Sequence, residues 1–363
     1  MKITDTIKQV LIKEGADQYP QSIRILNQLK GIPGHSFLKE VELNYQSIDM
    51  DKNTLKLIPF LGSLLKPCPG TKGYICCGYK ILHIGTNCPL NCSYCILQAY
   101  FNQPSLRIFV NLEERLHEIS QVFDSQSSKI FRVGTGEFTD SLALDPITNW
   151  SHILSRFFQS RKNTVLEFKT KTTQVEGLLS SPHRDGIIVS WSLNSTMVAS
   201  EEEHGAPTIQ KRLEAAKRCQ TEGYTLGFHF DPLIHSPNWN EQYARTVDLM
   251  DHYIDPKGII WISMGCFRYI PALKKIIRKR HPKTQILDAE FIMGLDGKQR
   301  YFKPIRIEMY ARLQEMINNW HDNAGLYLCM ESDEVWEKGL GWSPCTTDGL
   351  TRYLDERVKL FFH

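Results

Sequence analysis

The sequence predicts an α/β chain arranged as a partial (β/α)6-type barrel with an N-terminal and a C-terminal extension. Two observations predict it. Short runs rich in β-branched and aromatic residues recur, each bounded by Gly, Pro, Asn or Asp. Between them lie longer segments with the apolar period of a helix. Such alternation argues for a parallel sheet wound by right-handed crossovers, and six units fit an incomplete barrel better than a closed eight-unit one.

In chain order the strand runs are YKILHIG (79–85), KIFRVG (129–134), TVLEFKTK (164–171), GIIVSWSLN (186–194), YTLGFHFD (224–231) and KGIIWISMG (257–265). The helical segments are 111–123, 149–160, 207–220 and 240–254; in the third, Ile209, Leu213 and Ala216 recur at helical spacing with Lys and Arg on the other face. Residues 1–75, ending in the turn-rich KPCPGTKG, are expected to form the N-terminal extension, 76–270 the barrel, and 271–363 a C-terminal region packed on it. In that last region KPIRIEMYARLQEMINNW (303–320) reads as a long helix outside the barrel.

With 42% hydrophobic and 23% charged residues the 363-residue chain has the composition of a soluble globular protein. A formal charge of +3 is too small to argue for nucleic acid by itself. The opening MKITDTIKQVLIKEG lacks a continuous apolar stretch and reads as mature sequence, and no run approaches the roughly 18 apolar residues of a membrane span. A cytoplasmic location is therefore expected. There, clustered cysteines bind metal more often than they form disulfides, whereas dispersed ones such as Cys219 and Cys266 are small buried hydrophobes.

The chemistry sits where the first strand ends. In GTNCPLNCSYCILQ (85–98), Cys88, Cys92 and Cys95 have the spacing Cys-x3-Cys-x2-Cys. Thiolates are soft anionic ligands suited to iron, and three of them can hold three corners of a [4Fe–4S] cubane. No fourth cysteine lies at ligand spacing in the loop, so one iron is left for a non-protein ligand such as S-adenosylmethionine (SAM). Zinc, the competing reading, normally takes a second Cys pair, and none follows. One unit later the second strand ends in GTGEF (134–138). Gly134 and Gly136 would let backbone approach a ligand, Thr135 lies between them, and Glu137 could accept hydrogen bonds from an ammonium group. This arrangement resembles the radical SAM enzymes, in which such a turn binds the methionyl amine.

The likeness extends along about residues 80–330. NCSYCILQAY, RIFVN (107–111), FKTK (168–171), SLNS (192–195), RLEAAKRCQTEGYTLGF (212–228) and RHPKT (280–284) together resemble the spore photoproduct lyase family. The resemblance implies a [4Fe–4S] cluster, SAM held in part by Lys171 and Ser192, and an electron donor such as a flavodoxin or ferredoxin. It also implies DNA as partner, with a 5′-deoxyadenosyl radical abstracting hydrogen from a damaged thymine before a C–C bond breaks. Tyr94 matches one family tyrosine. Two positions depart: the family's hydrogen-donating cysteine falls at Glu137, and its second tyrosine at Ile96. Tyr94 donating directly, re-use of 5′-deoxyadenosine, or Cys266 at the end of the sixth strand would have to serve instead, although Cys266 also reads as a core thiol. Two alternatives remain: a radical enzyme of this family acting on a non-DNA substrate, and a non-catalytic iron–sulfur redox sensor.

Other groups carry weaker signals. Cys68, Cys76, Cys77 and Cys345 could ligate an auxiliary cluster, though structural packing explains them more simply. Cys329, Glu331 and Asp333 alternate as on one strand face. His229, Asp231 and His235 near the fifth strand suit substrate or SAM contact. The basic run KKIIRKRHPK (274–283) suits either phosphate contact or a solvated helix face.

Overall fold

The computed structural model describes residues 3–30, 36–39, 51–159 and 161–363. Parts of the expected N-terminal extension, 31–35 and 40–50 among them, thus lie outside the described residues.

All six expected strands form, in one curled sheet: β1 (Lys80–Leu82), β2 (Phe131–Gly134), β3 (Thr164–Thr170), β4 (Ile187–Ser192), β5 (Thr225–Leu233) and β6 (Ile259–Cys266). Each pairs in parallel with the next in chain order, for instance Phe168 opposite Val189 and Trp191 opposite Phe228. Every residue of β2, β4 and β6 is buried, as parallel strands sandwiched between helices and barrel interior must be. Two strands extend the sheet beyond the expected six. β7 (Leu326–Leu328) runs parallel to β6, and Leu65–Pro67 lies antiparallel to β1.

The helices match the sequence expectation closely. Leu116–Asp124, Trp150–Phe158, Ile209–Thr221 and Trp239–Tyr253 connect the strands, and Thr208 caps the third by accepting from Lys211 N. The long helix Lys303–Trp320 packs against Trp239–Tyr253 outside the barrel. One expectation fails. Cys329, Glu331 and Asp333 do not share a strand face: β7 ends at Leu328, Met330 turns the chain with φ 59°, and Asp333 opens the helix Asp333–Leu340.

A second sheet packs beside the barrel. Gln9–Ile12 lies in parallel between Ser36–Lys39 and Thr54–Ile58, and the last pairs with Leu106–Phe109, which returns from beyond the cysteine loop. Asn87 fastens the loop's base to this return by donating Nδ2 to the carbonyls of Gln103 and Ser105. A hairpin of Phe291–Met293 and Gln299–Tyr301 projects from the C-terminal region, with the Arg300 guanidinium bound across it to Asp296. No helix among the described residues is long and apolar enough to cross a membrane.

Candidate active site

At the carboxyl ends of the barrel strands lies an open cavity of about 300 Å³. Its walls come from successive strand ends. Cys88, Cys92 and Cys95 follow β1, Gly136, Glu137 and Asp140 follow β2, Lys169 and Lys171 close β3, Ser192 ends β4, and Asp231 lies on β5. The parallel winding thus gathers residues spread over more than 140 positions of sequence.

The three cysteines are free and all line this cavity. Burial pushes Cys92 up to about 12, with the Glu203 charge adding to it, and raises Cys88 and Cys95 as well, so all three hold their protons until a metal replaces them. Among the described residues no three His, Cys, Asp or Glu side chains converge as a single ion requires. A cubane spreads its ligands over separate corners, so free thiols on one cavity wall suit a cluster better than zinc.

Two adjacent carboxylates hold the loop in place. The backbone of Glu203 pairs antiparallel with Cys92, and Ser93 N donates to the Glu202 carbonyl at 2.8 Å. The Glu202 carboxylate accepts from the Ser93 and Thr284 hydroxyls. That of Glu203 accepts from the Tyr94 hydroxyl and forms ion pairs with Arg212 at 2.5 Å and Lys171 at 3.4 Å. Burial opposes ionisation of Glu203, but the two cations outweigh it and hold the carboxyl below its usual range. Lys171 also lies 5.8 Å from the centre of the Tyr94 ring. Neither glutamate was singled out from the sequence, where EEEH (201–204) resembles a solvated helix end.

The turn after β2 behaves differently from its sequence reading. The room left by the missing side chain of Gly134 is filled by protein: a Cβ there would come within 1.3 Å of the Tyr79 hydroxyl oxygen. Thr135 donates to Ser141 Oγ at 2.7 Å and does not line the cavity. Gly136 and Glu137 do line it, and Glu137 is held by Lys169 Nζ at 2.6 Å. Burial would lower Lys169, yet the charge and hydrogen bond of Glu137 raise it, so the Lys169 ammonium keeps its charge. Asp140 braces the turn by accepting from Leu142 N, Ala143 N, Thr170 Oγ1 and Lys171 N.

Tyr94, Lys171 and Ser192 line the cavity, as does Ile96. Cys266 does not. It is 1% exposed, its Sγ lies 3.9 Å from Met309 Sδ, and its backbone N–H donates to the Tyr310 hydroxyl. Cys77 and Cys329 contact each other through their thiols, with Cys68 and Cys76 nearby, while Cys345 is exposed. Asp231 lines the cavity paired with Arg268 at 3.1 Å, whereas His229 lies beneath it. There the Glu167 carboxylate accepts from His229 Nε2, Ser190 Oγ and Trp261 Nε1, all on Oε1.

A curled parallel sheet with three free thiols in the loop after its first strand is the architecture of a radical SAM enzyme. A family model described as spore photoproduct lyase matches residues 71–326, and the chain belongs to that family. The spore photoproduct lyase of Bacillus subtilis (strain 168) is 26% identical over 281 residues, covering 76% of each chain. That of Clostridium acetobutylicum is 22% identical over 315 residues, covering 82% of this chain and 87% of its own. Among solved structures, a spore photoproduct lyase complexed with dinucleoside spore photoproduct superposes with a TM-score of 0.76 at 21% identity, covering 89% of this chain and 98% of that one. A mutant with bound AdoMet and the same dinucleoside gives 0.76 at 22%, covering 90% and 99%. The fold and the enzyme class, a radical SAM lyase, follow.

Proposed function

We propose that this enzyme holds a [4Fe–4S] cluster on Cys88, Cys92 and Cys95, binds SAM across the barrel mouth, and repairs a methylene-bridged thymine photoproduct in DNA. The observation that carries the reading is the single cavity in which the three thiols meet Gly136, Glu137, Lys171 and Ser192. Bound there, the two groups supply a 5′-deoxyadenosyl radical able to abstract hydrogen from carbon. The chain's own residues place and protect it. Lys171 offers a cation toward the SAM carboxylate, Ser192 a hydroxyl, and Glu137 a carboxylate toward the methionyl amine, with Lys169 setting its orientation.

A base in duplex DNA must leave the stack to reach this cavity. The hairpin supports such an extrusion. Met293 and Leu295 near its tip are 66% and 82% exposed, an uncommon position for large apolar side chains unless they enter a partner. Lys298, which closes the hairpin's turn by accepting from Gly294 N, lines the cavity, so tip and reaction chamber adjoin.

After the bridge breaks, a hydrogen atom must return to the thymine radical. Apart from the three thiols assigned to the cluster, no cysteine lines the cavity among the described residues. We assign the donation to Tyr94, whose O–H is kept protonated by burial and by Glu203. That donation would leave a tyrosyl radical, and the phenol would be restored by a hydrogen atom returned from 5′-deoxyadenosine, which would have taken it from the lesion. Glu137 in place of a thiol also favours a second reading, the same radical chemistry on a different substrate.

The test is anaerobic turnover of reconstituted enzyme with SAM, reductant and a dinucleotide carrying the photoproduct. Recovery of thymine that is abolished by Cys88→Ala supports repair. Formation of 5′-deoxyadenosine with the lesion intact overturns repair and leaves the second reading.

A further inference from the structure

The cluster proposed above needs an electron from outside the protein, and the barrel mouth is taken up by SAM and substrate. Cys88 and Cys95 line two openings. One is the barrel mouth; the other is an outer crevice walled by Lys52, Gln98, Phe101 and Arg280. Gln98 ties this crevice to the cluster loop, donating Nε2 to the carbonyls of Cys92 and Ser93 at 3.1 and 3.0 Å and accepting from Arg280 Nη1 at 3.3 Å. The outer crevice therefore offers a route to the cluster that does not cross the substrate.

A basic surface flanks it. Helix Pro271–Arg280 packs against Leu97–Tyr100, the short helix that begins two residues after Cys95. Residues 271–283 carry six basic side chains and no acidic one, in a chain whose whole formal charge is +3. Lys275, Arg278, Lys279 and Arg280 are exposed, and none forms an ion pair among the described residues. None of the six lines the barrel mouth. Thr284, just past the helix, is fixed through Glu202 to Ser93 in the cluster loop, so the positive face is held at a set place beside the loop.

We infer that this face docks an acidic one-electron carrier protein of the flavodoxin or ferredoxin class. The inference rests on the cluster assigned under the proposed function. Charge complementarity selects the partner: weak redox encounters bury little surface and rely on electrostatic steering, which unpaired Lys and Arg around the crevice supply. One electron passes from carrier to cluster, the carrier being oxidised and the cluster reduced, with no atom transferred.

The test compares reconstituted wild-type enzyme with Lys275→Glu/Lys279→Glu and the milder Lys275→Gln/Lys279→Gln. Cluster bleaching is followed with reduced flavodoxin or with dithionite. At low salt the flavodoxin rate should fall at least ~10-fold in the Glu variant and by less in the Gln variant, with a flattened salt dependence. The dithionite rate should not change. Equal flavodoxin rates overturn the inference, and so does loss of duplex-DNA affinity with flavodoxin reduction intact, which would make the face a nucleic-acid contact. If dithionite bleaches the cluster but yields no 5′-deoxyadenosine, the proposed function fails while the flavodoxin comparison still decides docking. Should no cluster assemble, titration of flavodoxin against the chain decides it: affinity lowered by salt and by charge reversal supports docking, and no affinity overturns it.

Discussion

Glu203 accepts the hydroxyl hydrogen of Tyr94, and through that contact the middle of the cysteine loop is bound to a residue 109 positions further along the chain. The same carboxylate neutralises Arg212, which is fully buried. Glu203→Gln removes the charge and strands the guanidinium, which should cost about 3–5 kcal/mol. Tyr94→Phe keeps the ion pair and should cost only about 1 kcal/mol. Urea unfolding before reconstitution checks this ranking; equal losses would show that Arg212 finds another partner.

The three loop cysteines and Cys266 should separate cleanly. Ala at position 88, 92 or 95 is expected to abolish stable iron incorporation and 5′-deoxyadenosine formation. Cys266→Ala should keep both, because its thiol faces Met309 instead of the cavity. Iron content and product chromatography read the two classes, and a Cys266→Ala protein with iron but no 5′-deoxyadenosine would place that thiol in the chemistry after all.

The short helix Asp145–Thr148 begins with a buried carboxyl, which desolvation raises from 3.8 to about 6 despite bonds from Ser151. Between these values the folded state binds more protons than the unfolded one, so this group's contribution to stability falls as pH rises from about 4 to 6 and is level above. Asp145→Asn should therefore gain on the parent by about 3 kcal/mol across that window. Denaturation of both proteins at about pH 4 and pH 7 checks it, and a constant difference would refute it.

Glu167 should show the opposite sign. Burial disfavours its charge, but His229 and three hydrogen bonds hold the carboxyl down at about 2. Its contribution is present above about 4.5 and is lost as pH falls toward 2. Glu167→Gln should cost about 3 kcal/mol at neutral pH, with the deficit shrinking on acidification. A deficit independent of pH would point to packing and not charge.

Met293→Asp with Leu295→Asp should weaken turnover of the lesion in duplex DNA at least ~10-fold while leaving the dinucleotide unaffected, because only the duplex has a stack to open. Rates on the two substrates, taken side by side, give the answer. Equal losses on both would assign the hairpin to the chamber itself.

How much of this was legible in the sequence follows from where the information lies. The six central strands were readable because each lies in a longer, mostly apolar run, even where only three residues pair, as in β1; the three residues of β7 run straight into the Cys329–Asp333 alternation, which masks them. The cluster ligands were readable because all three lie in one loop. Glu202 and Glu203 were not, because their partners Ser93, Tyr94 and Arg212 are brought to them only by tertiary packing. Cys266 was placed at the right strand end, but position along a strand does not say which side the thiol takes. The alternation of Cys329, Glu331 and Asp333 imitated a strand across a turn and a helix start.

The fit of Tyr79 against Gly134 has an evolutionary consequence. Any side chain at 134 collides with the phenol, and shrinking Tyr79 first would open a void in the barrel wall. Neither single change offers an easy intermediate, so the two positions are expected to drift together or not at all. Relatives that carry a larger residue at the glycine should carry a smaller one at the tyrosine, which makes this pair a marker of descent that is independent of the chemistry beside it.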